Sequence, residues 1–384
     1  MTSLVALSID AMLPALGAIA RDLGVHDPND RQLVLSALFG GMVIGQLIYG
    51  PVSDTVGRKR PIAVGSAIFI FGCVISATAN TFEMMLAGRF VQGLGVAGPR
   101  IVVTAIIRDQ FQGAAMARVM SLIMTVFILV PALAPIIGQG ILLFASWRGI
   151  FVMFLVLAAT GLVWFWVGQA ETHPPEKRRA LRLGNLLSAT WEVLTHPVSL
   201  GYTLMASLVF ASFLGFLNSA QQILAELYGL DELFPLAFAC LALSIGGSTL
   251  TNVRLLRHFS MQRLCRGSLT IVVPLSIVFS LIAMALDGVP PLWSLMAYMI
   301  TLFYCIGLLF GNMNALAMEP MGHIAGLASA VIASISTGVS LVLGGLIGAL
   351  FNETVLPLVF GFAIFTSGAA VVMYWTERAR PAPN

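Results

Sequence analysis

Asp10 stands in the middle of a long apolar stretch, whereas the other acids among the chain's 17 Asp and Glu lie in polar segments or near the ends of apolar ones. An ionised side chain in apolar surroundings is costly, so it must face a partner, a protein interior or a water-filled cavity. Desolvation disfavours its charged form, so protonation can alternate with other binding events. The chemistry this suggests is one carboxylate that holds either a proton or a cation, so that the two compete. The plainer reading is a structural ion pair or a helix-packing contact. Arg89, in Arg89-Phe-Val-Gln-Gly-Leu-Gly95, is the natural counter-charge. In a helix entered near Glu83 it lies roughly 9 Å in, and Asp10 lies roughly 15 Å from the corresponding end of its own helix. A long guanidinium spans that difference, so an Asp10–Arg89 interaction, direct or through water, is expected; a fixed hydrogen-bonded clasp by Arg89 is the alternative. Arg100 follows about three turns later on nearly the same helix face. It either extends a positive track suited to an anion or snorkels toward headgroups, the latter being favoured. Finally, Gly50-Pro-Val-Ser-Asp-Thr-Val-Gly-Arg-Lys-Arg60 is a tight basic turn in which Asp54 can cap a helix end and pair with Arg58.

The elements that must hold these residues follow from composition. The 384 residues are 58% hydrophobic and only 10% charged, with mean hydropathy +0.95, too few charges to clothe a water-facing surface. Apolar runs long enough to cross a bilayer as helices occur near 1–20, 33–53, 61–79, 84–107, 117–143 and 149–168. They resume near 199–224, 233–254, 265–286, 291–316, 322–350 and 354–375. The prediction is an all-α integral membrane protein of about twelve helices. Its domains are a six-helix bundle over 1–168, a linker over 169–198 carrying an amphipathic surface helix, and a second six-helix bundle over 199–384. The first run has no basic lead, an acid at its centre and no small-residue cleavage site, so it reads as a retained helix rather than a signal peptide. Most of the 20 Lys and Arg fall on one face of this topology: Arg58, Lys59 and Arg60; Arg108 and Arg118; Lys177, Arg178, Arg179 and Arg182; Arg254, Arg257, Arg263 and Arg266; Arg378 and Arg380. That face is expected to be cytoplasmic, with both termini inside.

The Gly50–Arg60 turn resembles the signature loop between the second and third helices of the major facilitator superfamily, and Arg89–Gly95 is similar to its R-x-x-Q-G-x-G motif. Ser8-Ile-Asp-Ala-Met-Leu-Pro-Ala-Leu16 resembles the first helix of Bcr/CflA-type drug:proton antiporters, with Met12 where that family commonly has Tyr. Pro131-Ala-Leu-Ala-Pro135-Ile-Ile-Gly138-Gln139 resembles the antiporter motif of exporting members, with Ala134 and Gln139 departing from the commoner glycines. The resemblance implies two pseudo-symmetric bundles with a substrate site between them, working by alternating access. It implies proton-coupled export of small lipophilic or amphipathic compounds, that is, multidrug efflux and antibiotic resistance at the bacterial inner membrane. Asp10 and Arg89 would couple proton to substrate. Gly50, Asp54, Gly57 and Arg58 would form a cytoplasmic gate, and Pro135 and Gly138 the moving interface.

Met12, Gln92, Arg100, Asn218, Gln222 and Asn314 are candidates for the substrate cavity, although amides between membrane helices more often serve packing. Abundant Met (18) and Phe (24) suit broad specificity but also ordinary membrane cores. A basic loop at Gly247–Arg257 faintly echoes the first-half turn. Phosphate-binding loops, metal clusters and catalytic triads are absent from the sequence, so neither an ATP-driven pump nor an enzyme is expected, and no cofactor or metal. The partners expected are substrate, protons and lipid, not nucleic acid, and the unit a monomer. Two other readings remain open: a proton-coupled importer of a metabolite, and a non-transporting sensor on a transporter scaffold.

Overall fold

The computed structural model describes residues 1, 3–111, 113–178 and 183–380, and leaves the side chains of a further group within 108–128, and of 177 and 183, undescribed. The side chains of Arg108, Arg118, Lys177, Arg179 and Arg182 lie outside what is described. The described residues form helices joined by turns and short connections, with no strand among them. The chain divides into two compact units, residues 1–187 and 188–384.

The first unit opens with α1, which runs from Ser3 to Asp22 in two helical pieces, Ser3–Asp10 and Leu16–Asp22, joined by a short 3-10 turn at Leu13–Ala15. The helices α2 (Leu33–Val56), α3 (Lys59–Ala77), α4 (Phe82–Gln110), α5 (Gly113–Leu142) and α6 (Arg148–Gly168) follow. In the second unit α8 (Pro197–Gln221) continues as a π-helical turn over Gln222–Leu227, and α9 (Phe234–Leu255), α10 (Met261–Ala285), α11 (Leu292–Met318), α12 (Ala325–Ala349) and α13 (Leu356–Arg378) complete it. Between the two sets lies α7 (Leu183–Thr195). Among the described residues, ten helical segments are long and apolar enough to cross a membrane as they stand. One of these, 58 residues over Leu292–Ala349, holds both α11 and α12, broken at Glu319–Ile324. In α5, Leu129–Leu142 is a shorter apolar helix. The expected multi-pass architecture is therefore present, with helix ends within a few residues of those read from the apolar runs.

The break in α1 is the main departure from a simple span. Pro14 has no N–H to give the carbonyl of Asp10 four residues earlier, so the helical ladder lapses there. The last regular bond runs from the Ala11 N–H to the Leu7 carbonyl (3.1 Å), and the chain tightens to an i→i+3 bond from Ala15 to Met12 (3.0 Å). Asp10 thus closes a helix in the middle of a span.

Glycines set how closely the first unit packs. α4 lies against α2 and α3 along their lengths. A Cβ on Gly93 would sit 1.9 Å from the Leu38 carbonyl oxygen, and one on Gly41 would sit 2.0 Å from that of Phe90. Such backbone contact is how helices gain van der Waals attraction where lipid offers no hydrophobic drive. In the second unit α8 packs on α12 and α13, and α11 on α9 and α10. Helix α7 is amphipathic, as the linker composition suggested. Leu187, Trp191 and Leu194 are exposed at i, i+4 and i+7, while Ala189 and Val193 are buried. Glu192 pairs with His323 at 2.8 Å.

Candidate functional site

The first unit places Arg89 at its centre, fully buried. Its Nη2 donates to the Ser8 carbonyl of α1 (2.7 Å), its Nε to the Val34 carbonyl of α2 (3.1 Å), and its Nη1 to Gln92 Oε1 one turn on (2.7 Å). Gln92 Nε2 donates onward to the Gly72 carbonyl (3.1 Å) and to Ser76 Oγ (3.0 Å) of α3. The guanidinium carbon lies 5.9 Å from the ring centre of Phe151 in α6, within cation–π range. One side chain and its helical neighbour therefore tie four helices by hydrogen bonds and touch a fifth. The cation is satisfied by carbonyl oxygens and not by the carboxylate of Asp10. No direct Asp10–Arg89 contact forms; the guanidinium takes the Ser8 carbonyl, two residues earlier on α1, in the clasp arrangement.

Asp10 is itself buried, at 6% exposure, and makes no ion pair or side-chain hydrogen bond with the described residues. Directly beyond it, the Ala11 carbonyl faces Gly138 of α5 so closely that a Cβ on Gly138 would lie 2.0 Å from the oxygen. Ala134 and Pro135 are buried one turn before Gly138. The first-helix acid and the α5 proline–glycine motif, far apart in sequence, thus meet at one point: the unwound turn of α1. Met12, in that same turn, is fully buried.

A second cluster lies where α2, α3, α4 and the segment after α6 end together. Arg58 is 3% exposed and donates to Asp54 Oδ1 (2.5 Å), to Asp109 Oδ2 at the end of α4 (2.9 Å) and to Ser53 Oγ (2.9 Å). The amides at the start of α3 are capped by Glu171 rather than by Asp54. Glu171 takes the backbone N–H of Arg58 (2.8 Å) and of Lys59 (3.1 Å), and also those of Thr172 and His173 (3.0 Å each). Partial burial raises the proton affinity of this carboxylate, but the four amide bonds outweigh that and hold its pKa below the ordinary 4.5. Gly57 makes the turn at φ +96°, and a Cβ there would press on Glu171 Oε2 at 2.6 Å. Gly50 contributes its carbonyl to the Ser53 hydroxyl (2.9 Å). Asp109 and Glu171 were missed in the sequence, although both carry the same signal as Asp54: topology alone calls for no acid on a basic face.

The remaining candidates are dispersed. Gln92 belongs to the Arg89 network. Arg100 sits half-buried in α4 without an ion pair or hydrogen bond to the described residues. In the second unit Asn218 donates to the Gly344 carbonyl of α12 (3.3 Å), and Gln222 is buried at the start of the π-helical turn. Asn314 is exposed and bonds back to the Phe310 carbonyl of its own helix (2.9 Å). Among the described residues no group of three or more His, Cys, Asp or Glu is placed to hold a metal.

Many membrane-length helices, with a buried arginine network and a cluster of ion pairs in the first unit, are the features of a multi-pass membrane protein. The family model described as "Major Facilitator Superfamily" matches residues 1–340, and the chain belongs to that superfamily. The chain is 30% identical over 381 residues to a "Bicyclomycin resistance protein homolog" of Haemophilus influenzae, covering 95% of this chain and 90% of the relative. An "Uncharacterized MFS-type transporter YdgK" of Bacillus subtilis is 28% identical, over 91% of this chain and 86% of its own. A "Multidrug resistance protein MdtL" of Escherichia coli is 31% identical over 58% of this chain and 56% of its own. Among solved structures the fold is similar to the xylose transporter XylE of E. coli, with TM-score 0.73 and 13% identity over 97% of this chain and 95% of that one. It is also similar to the human organic anion transporter MFSD10, with TM-score 0.72 and 15% identity over 98% and 96%.

Proposed function

We propose that this protein is a drug:proton antiporter of the bacterial inner membrane, exporting small lipophilic or amphipathic compounds, and that Asp10 carries the coupling proton. The observation that supports this most is the placement of Asp10: a buried carboxylate without a counter-ion among the described residues, at an unwound turn braced by Gly138. A charge in such a place is stabilised by accepting a proton or by meeting a cationic group of a solute. Whichever binds excludes the other, and that competition is what exchange requires. The unwound turn supplies the mechanical link. It lacks regular helical bonds, so a change of charge at Asp10 can alter the geometry between the two pieces of α1 at little cost in broken ladder.

Arg89 is then a positioning residue. It fixes the first piece of α1 to α2 and α4, leaving the turn as the part free to respond. The latch around Arg58, with Asp54, Asp109 and Glu171, would hold four segment ends of the first bundle as one body during alternating access, on the cytoplasmic side if the basic face is inside. In this reading the bundles are residues 1–168 and 199–384, the linker is cytoplasmic, both termini are inside and the unit is a monomer. The MdtL and bicyclomycin-resistance relatives favour efflux over metabolite import.

The deciding test uses inverted membrane vesicles, acidified inside and reported by a fluorescent pH probe, with cationic, neutral and anionic drugs added. Wild-type protein is expected to dissipate the gradient on addition of a transported drug, and Asp10→Asn, inserted to the same level, is not. Proton-driven transport retained by Asp10→Asn would overturn the assignment.

A further inference from the structure

Three consecutive cations, Arg58, Lys59 and Arg60, occupy the turn into α3, and the structure uses them differently. Arg58 is consumed by Asp54 and Asp109. Lys59 lies over the ring of Trp166, its Nζ 4.7 Å from the centroid. Arg60 is exposed and has no ion pair or hydrogen bond among the described residues. It stands at one end of a groove of about 240 Å³ between α2 and α3, floored by Leu94 of α4. The walls are almost wholly carbon: Ile48, Val52 and Val56 from α2 with the Tyr49 ring beside them, and Pro61, Val64 and Ile68 from α3. Ile48 and Val64 are 46% and 54% exposed, so the groove opens outward along the apolar side of the bundle.

The dimensions and chemistry of the groove limit what can occupy it. From Arg60 to Ile68, and equally from Val56 to Ile48, the wall is about 12 Å long at 1.5 Å per residue. That spans most of one leaflet of a hydrocarbon core about 30 Å thick. Drug-sized ligands occupy pockets of about 300–1,000 Å³ with several convergent polar groups. This groove is smaller, and its one strong polar group stands at the rim. A single extended hydrocarbon chain with an anionic group at its head fits both features: the chain fills the carbon-lined part and the head meets Arg60 at the level where headgroups lie. From the groove and the unpaired cation at its mouth, we infer that α2 and α3 form a binding site for one acyl chain of an anionic phospholipid, with Arg60 on the phosphate. The lipid would lie next to the Arg58 latch, linked to it through adjacent residues of the same turn.

The inference is independent of what is transported. The test is native mass spectrometry of the purified full-length protein with phosphatidylglycerol or phosphatidylcholine of identical chains. Wild type is expected to retain phosphatidylglycerol about fivefold better, the preference one surface cation confers. Arg60→Gln should erase that preference while keeping chain binding, and Arg60→Lys should keep it. Val64→Trp, which fills the groove, should lower retention of both lipids; if it does not elute as a single folded species, Ile48→Trp on the facing wall replaces it. Equal retention of the two lipids by wild type, or a preference that survives Arg60→Gln, would overturn the proposal. So would unchanged binding when the groove is filled. Full displacement of phosphatidylglycerol by free glycerol phosphate would show a headgroup site without the chain, and would overturn it too.

Discussion

Replacing Arg89 separates its charge from its geometry. Its three hydrogen bonds go to acceptors on α1, α2 and α4 that diverge from one planar group. Lysine carries the same charge at a single point and cannot reach all three. Arg89→Lys is therefore expected to destabilise the protein by about 2–4 kcal/mol, since interhelical hydrogen bonds contribute roughly 0.6–1.7 kcal/mol each and orphaned buried acceptors add to the loss. The measurement is thermal unfolding in detergent; a melting temperature unchanged in Arg89→Lys would mean that charge alone suffices. What the sequence could reveal at this scale was residue type. Arg89, Asp10 and Gln92 were legible as polar groups in apolar runs, and so was the possibility of a clasp. The partner was not, because Arg89 bonds to a backbone carbonyl, and a carbonyl is available at every position in the chain. Which carbonyl Arg89 meets is set by how α1 packs on α4, and no residue type announces that.

At the scale of the element, α1 and α5 approach each other through Gly138. A methyl group there would sit 2.0 Å from the Ala11 carbonyl oxygen, so the helices must separate or the turn must shift. Gly140 lies on the same helix, and a methyl group there would meet nothing within 4 Å, which makes it the matched control. Gly138→Ala is expected to cost about 1–3 kcal/mol in overpacking and to abolish drug-driven proton movement in vesicles, while Gly140→Ala leaves both near wild type. Equal effects of the two substitutions would remove the special role of this contact. Helix positions were legible from apolar runs because a bilayer demands roughly twenty apolar residues per pass. The break inside α1 was not, even though Pro14 marks it. A proline in a membrane span can be absorbed as a mild kink, and hydropathy is indifferent to whether the ladder lapses. The consequence of Pro14 follows only from the neighbours that take up the freed groups.

At the scale of the molecule, the ends of the helices are where charge gathers, and each half has its own arrangement. The first unit centres its cluster on Arg58 in the turn between α2 and α3. The basic loop at Gly247–Arg257, the faint sequence echo of that turn, follows α9. The second unit instead brings Arg380, beyond α13, against Glu319 at the end of α11, with Glu377 nearby. The two clusters differ in make-up: the first draws its cation from the turn between α2 and α3, the second from the segment beyond α13. This could not be read from the loops, because an ion pair needs only proximity and the fold supplies that between segments far apart in sequence. The contribution of the first-half cluster is open to titration through Glu171, which lies outside the membrane spans. Its folded pKa is depressed by four amide hydrogen bonds, so its contribution is complete above the unfolded value of 4.5 and is lost as pH falls below it toward the folded value. Glu171→Gln keeps a side-chain oxygen for some of the amides and removes the charge. At neutral pH it should lower the melting temperature by about 2 °C, the scale expected for a partly exposed group. As the pH is lowered through and below that ordinary value, the wild-type melting temperature should fall more steeply than the variant's. Parallel curves would mean that the Glu171 carboxylate does not carry the latch, and would leave Asp54 and Asp109 as the groups that hold Arg58.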